Sequence, residues 1–76
     1  MTPAQCRAAR ALLDWTQPEL ASTAAIGLST VVDFERVRRI VSNEAMAAIQ
    51  RALEAAGVIF TPENGDGPGV KLRKGK

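Results

Sequence analysis

The chain contains no histidine and only one cysteine, Cys6. A lone thiol cannot close an intrachain disulfide. Without an imidazole, Cys/His zinc sets and Cys–His or Ser–His nucleophile pairs are out of reach. Cys6 therefore reads as a small buried hydrophobe. Aromatic residues are equally scarce, being limited to Trp15, Phe34 and Phe60. The apolar fraction rests heavily on alanine, which suits closely packed helices better than a sandwich or barrel. No run approaches the ~18 to 20 apolar residues of a membrane span, and the start lacks the charged and apolar regions of a signal peptide. The expectation is a cytoplasmic protein with no membrane partner. Catalysis has no obvious machinery either: the acids are dispersed, and neither Ser29 nor Cys6 has an evident base. The glycine-rich "NGDGPG" follows a strand-like stretch without leading into a helix, unlike a phosphate cradle. The chain is read as a non-enzyme with no cofactor and no metal.

What is present fits one small domain. At 76 residues there is room for a single modest core, and chains of this size often gain stability by oligomerising. Ten Lys and Arg against eight Asp and Glu give a formal charge of +2. Arg36, Arg38 and Arg39 cluster in mid-chain, while Lys71, Arg73, Lys74 and Lys76 crowd the end. Such runs belong to a solvated surface or to a contact with nucleic acid.

Four helices and a hairpin follow from local signals. Thr2 can cap free amides and Pro3 is pre-set for a first turn, which predicts a helix over 3–13 with Cys6, Ala9, Leu12 and Leu13 on one side. "TQPE", Thr16 to Glu19, is a capping box and opens a helix over 17–24, packing through Leu20, Ala21 and Ala24. Gly27 precedes a third helix over 28–36. Ser42 caps the fourth, over 43–56, where Met46, Ile49 and Leu53 form a stripe until Gly57 stops it. "VIF" is strand-like and "VKLR" alternates apolar with basic, with turn-forming residues between them, which predicts a hairpin and basic tail over 58–76. The expected fold class is mainly α: a compact four-helix unit over 1–57 with a short C-terminal β-hairpin.

The second and third helices carry the functional signal. Small or apolar residues at Leu20, Ala21, Ala24, Ile26, Val31 and Phe34, split by a tight connection, have the spacing of a helix-turn-helix. Here the chain resembles the lambda-repressor-like, or xenobiotic-response-element (XRE), type of bacterial and phage regulators. The resemblance rests on "RAARALLDWTQPELA", Arg7 to Ala21, and "GLSTVVDFERVRR", Gly27 to Arg39. It covers most of Pro3 to Gly57 and is closest to small single-domain members. It implies that Gln17 reaches a DNA phosphate and that Arg10 and Glu35 form an ion pair tying the first helix to the third. It also implies that Gly27, Leu28, Ser29, Thr30, Val32 and Asp33 occupy the start and outer face of a recognition helix entering the major groove. Read without the resemblance, Gln17 is an ordinary solvated first-turn residue, and Arg10 and Glu35 each pair elsewhere or with water.

The sequence also departs from that family. Ala25 stands where a glycine is usual in the bend, and a left-handed backbone there would cost alanine ~1 kcal/mol. Val37 replaces another frequent glycine and Val41 a frequent proline. The first two turns of the third helix offer no Asn, Gln or Arg, so specificity would lean on methyl contacts from Leu28 and Val32, on DNA shape and on a second subunit. Arg36, Arg38 and Arg39 would clamp phosphates or enter the minor groove. Asp33 would accept from a cytosine amino group, position an arginine, or repel phosphate.

Two function classes are carried forward. The first is a sequence-specific regulator of double-stranded DNA, acting as a homodimer on an inverted repeat and dimerising through the hairpin residues Val58, Ile59, Phe60, Val70 and Leu72. The second is an antitoxin-like or adaptor protein whose main role is to bind a protein partner.

Overall fold

Capping chemistry sets where three of the four helices begin. A computed structural model describes residues 1–61 and 67–73. Its helices are α1 (Pro3–Leu13), α2 (Gln17–Ala24), α3 (Leu28–Glu35) and α4 (Asn43–Ala55), followed by strands β1 (Val58–Thr61) and β2 (Gly69–Leu72). The hydroxyls of Thr2, Thr16 and Ser42 accept from the amides of Gln5, Glu19 and Ala45 at 3.1, 3.2 and 3.0 Å. The Gln5 and Glu19 side chains accept in return from the amides of Thr2 and Thr16, closing two full capping boxes. Gly27 gives α3 no side-chain cap.

The first three helices end alike. After α1, the amides of Asp14 and Trp15 bond the carbonyls of Ala11 and Arg10; after α2, those of Ala25 and Ile26 bond Ser22 and Ala21; after α3, those of Val37 and Arg38 bond Phe34 and Asp33. This paired closure needs a left-handed residue, most easily a glycine. The chain instead uses Asp14 (φ 60°), Ala25 (φ 59°) and Val37 (φ 56°). Aspartate tolerates that region moderately well, alanine poorly and a β-branched valine worst.

Two helix ends fall one residue short of the sequence expectation. The α3 ladder stops at Glu35, not at residue 36, because the left-handed turn at Val37 closes it. The α4 helix stops at Ala55, not at residue 56, with Gly57 at φ 107° carrying the chain away. Leu12, expected on the packing side of α1, is 42% exposed. At 3.6 residues per turn, Leu13 rather than Leu12 falls in line with Cys6 and Ala9.

The core gathers Cys6 and Ala9 from α1, Leu20 and Ala21 from α2, Val31 and Phe34 from α3, and Ile49 and Leu53 from α4. Val58 completes it from β1. The α2 helix packs on α3 and α4, while α1 packs on α3 and β2. The strands pair antiparallel, with Val58 opposite Leu72 and Phe60 opposite Val70. Buried Gln5 donates its amide nitrogen to the carbonyls of Thr61 and Gly69 at 3.2 and 2.9 Å, joining the start of α1 to the loop end of the hairpin. Among the described residues no helix is long and apolar enough to cross a membrane.

Candidate nucleic-acid interface

The α3 helix has two unlike faces. Val31, Phe34 and Glu35 lie at helical spacing and are all buried. On the other side Gly27 and Ser29 are exposed, Leu28 is 45% exposed, and Thr30, Val32 and Asp33 are half-buried. Leu28 and Val32 therefore reach solvent while their neighbours fill the core.

One carboxylate holds this orientation. Glu35 is 1% exposed, and three helices converge on it. From α1, Arg10 donates through Nε to Oε2 at 2.7 Å and through Nη2 to Oε1 at 2.8 Å, and the Cys6 thiol donates to Oε2 at 3.0 Å. From α2, Gln17 donates through Nε2 to Oε1 at 2.9 Å. Arg10 also reaches the Trp15 carbonyl at 3.0 Å, and Arg7 donates to the backbone carbonyl of Glu35. Burial opposes ionisation of Glu35, but the hydrogen bonds from Arg10, Cys6 and Gln17 outweigh it and hold the carboxyl below its ordinary range. Burial and the anionic neighbour push the Cys6 thiol up, so it stays a protonated donor. The bond to Glu35 raises Arg10, which stays charged. Among the described residues no buried side-chain nitrogen or oxygen lacks a partner.

These contacts give several expected site residues a definite place. The Arg10–Glu35 pair forms. Gln17, expected to reach a phosphate, stands half-buried in the first turn of α2 and spends one amide hydrogen on Glu35. A primary amide nitrogen carries two hydrogens, so this bond orients the group and leaves one for another acceptor. Asp33 accepts from Arg39 Nε at 2.7 Å, the arginine-positioning option of the three considered for it. Arg36 and Arg38 are exposed just beyond the end of α3.

The five hairpin residues expected at a dimer contact are unequally exposed. Val58 is 1% exposed and belongs to the chain's own core, so its side chain is not free for a second subunit. Phe60 and Val70 also pack on that core. Ile59, like Phe60 and Val70, is half-buried, and Leu72 at 41% is the most exposed of the five. The helices need the hairpin's inner face to complete a small core. Lys71 and Arg73 are exposed, while Lys74, Lys76 and the Asn64–Asp66 part of the glycine-rich loop lie outside the described residues.

Sequence reasoning missed four features. "TPAQ" is itself a capping-box pattern that would have flagged Gln5. Cys6 and Arg10 stand one helical turn apart, which puts thiol and guanidinium on one face. The burial of Val41 and the 95% exposure of Ile40 beside it left no sequence signal. No family model matches the chain, and no curated protein matches it.

Proposed function

We propose that the chain is a sequence-specific regulator that binds double-stranded DNA as a homodimer on an inverted repeat, with α2 and α3 forming a helix-turn-helix and α3 entering the major groove. The observation that carries the reading is the division of α3: an inner stripe locked by Val31, Phe34 and the Glu35 cluster, and an outer face where Leu28 and Ser29 stand uncovered. A short helix held rigidly on one side and open on the other is what groove insertion requires. The uncapped α3 start, the Gln17 amide and the exposed Arg36 and Arg38 flank that face with donors suited to phosphate. Leu28 and Val32 supply methyl groups for thymine, and Ser29 supplies a hydroxyl for a base edge.

Fluorescence anisotropy tests the reading, using a duplex selected from a randomised pool and a scrambled control, each at several salt concentrations. Arg38→Ala weakens both duplexes alike and flattens the salt dependence by about one unit of slope. Leu28→Ala and Ser29→Ala instead change the ratio between the two. Salt-independent binding by every variant would remove the reading.

A further inference from the structure

The α1 helix grips α3 by its main chain as well as by its buried carboxylate. Glu35 is the last residue of α3, and the bonds that close the helix, from Val37 and Arg38, go to Phe34 and Asp33. The Glu35 carbonyl is therefore left for another donor. Arg7 meets it through Nη1, across 28 positions of sequence, while Arg10 one turn further along α1 holds the Glu35 side chain. That carbonyl belongs to the peptide group joining Glu35 to Arg36, so the Arg7 guanidinium lies against the backbone from which Arg36 projects.

The bond to Glu35 uses one of five N–H groups, and within the described residues Arg7 makes no other. Its charge is unmatched as well. Glu35 is paired with Arg10 and Asp33 with Arg39, which leaves Arg7, Arg36 and Arg38 without a carboxylate among the described residues. All three are exposed. The partly negative end of a helix attracts a cation, which accounts for the Nη1 bond. It does not account for three unmatched arginines at one helix end.

We infer that Arg7 is a phosphate ligand of the DNA contact: pinned through Nη1, it offers Nε and Nη2 to a backbone phosphate beside Arg36. These two nitrogens form the parallel pair that matches two phosphate oxygens. Because the side chain is already anchored, it gives up little rotamer freedom when the phosphate arrives. The inference rests on the DNA-binding reading and extends that contact to α1, a helix outside the helix-turn-helix.

The test uses the full chain in anisotropy titrations with a selected and a scrambled duplex at several salt concentrations. Arg7→Ala weakens both duplexes by the same factor and lowers the slope of log affinity against log salt by about 0.9, the contribution of one phosphate. Arg7→Gln keeps an amide donor for the Glu35 carbonyl but no charge, and gives the same fall in slope. A purely structural cap would lower the melting temperature of Arg7→Ala and leave the slope unchanged. In a second arm, uncharged methylphosphonates replace the linkages of the selected duplex one at a time. At one linkage the replacement weakens the wild type and has no further effect on Arg7→Ala, whereas the linkage held by Arg38 still matters to Arg7→Ala and not to Arg38→Ala. A wild-type slope in both Arg7 variants overturns the inference, as does an Arg7→Ala protein as sensitive as the wild type to every replacement. In either case the regulator reading stands if Leu28→Ala still changes the preference between duplexes. A wild-type protein that binds neither duplex overturns both.

Discussion

Glu35 and Ile40 stand five residues apart and are opposites: the charged side chain is 1% exposed and the aliphatic one 95%. Around Glu35 each carboxylate oxygen accepts two hydrogen bonds, so a costly buried charge becomes a node for three helices. Around Ile40 the chain accepts a strained valine and leaves hydrocarbon in water, and nothing within the described residues of the same chain offsets either cost. The contrast separates a residue that ties the fold together from one that the fold of the described residues does not use. Strain and exposure retained together at one loop point to a use for that loop.

The sharpest way to break the contrast is to strand the buried charge. Arg10→Ala leaves Glu35 without its bidentate partner and is expected to cost about 3 to 5 kcal/mol, read from urea denaturation. The double variant Arg10→Met with Glu35→Leu recovers most of that loss, because removing both charges removes the desolvation penalty as well. If the double variant is as unstable as the single one, the node depends on more than charge pairing.

A milder probe is pH. The Glu35 carboxyl is held below its ordinary value, so its contribution is fully present above the unfolded carboxyl's pKa of ~4.3 and is lost as pH falls through the lower folded value. Thermal melts of the wild type therefore drop steeply below about pH 4. Glu35→Gln starts from lower stability at neutral pH and shows a shallower acid decline. An unchanged acid profile would mean that other carboxylates govern it.

The strained side of the contrast predicts effects of opposite sign. Val37→Gly relieves a left-handed β-branched residue and is expected to raise stability by about 1 to 2 kcal/mol. Ala25→Gly should add about 1 kcal/mol or less, partly offset by the entropy glycine loses on folding. Calorimetric melts decide both, and a lower melting temperature for Val37→Gly would show that the valine side chain's contacts outweigh its backbone strain.

The smallest expected effect lies between the two regions. The Asp33–Arg39 pair is largely solvated on the arginine side, so Asp33→Asn should change stability by less than about 0.5 kcal/mol. Its larger consequence is expected in the duplex titration, where loss of a negative charge on α3 tightens binding. Weaker binding instead would mean that Asp33 is needed to aim Arg39.

The sequence made the helix starts readable because a cap is a local event: "TQPE" and Ser42 specify their own hydrogen bonds within one turn. The Arg10–Glu35 pair was accessible only through family resemblance, since a glutamate on a short helix otherwise reads as surface. Its further partners Cys6 and Gln17 come from two other helices, and their convergence is set by packing angles that no local pattern encodes. Ile40 and Val41 show the same limit more simply: two β-branched neighbours with equal hydrophobicity, one outward and one inward. Direction in a loop depends on where the chain must go next, here toward the Ser42 cap of α4.

The Gln5 side chain, which reaches carbonyls 56 and 64 positions away, also bears on the order of assembly. Helices α2, α3 and α4 can associate through near neighbours, whereas this clasp must wait until almost the whole polypeptide has been gathered in, a large loop closure. The hairpin should dock last and detach first, so amide hydrogens of β1 and β2 would exchange with solvent through partial opening while those of the helical core wait for global unfolding.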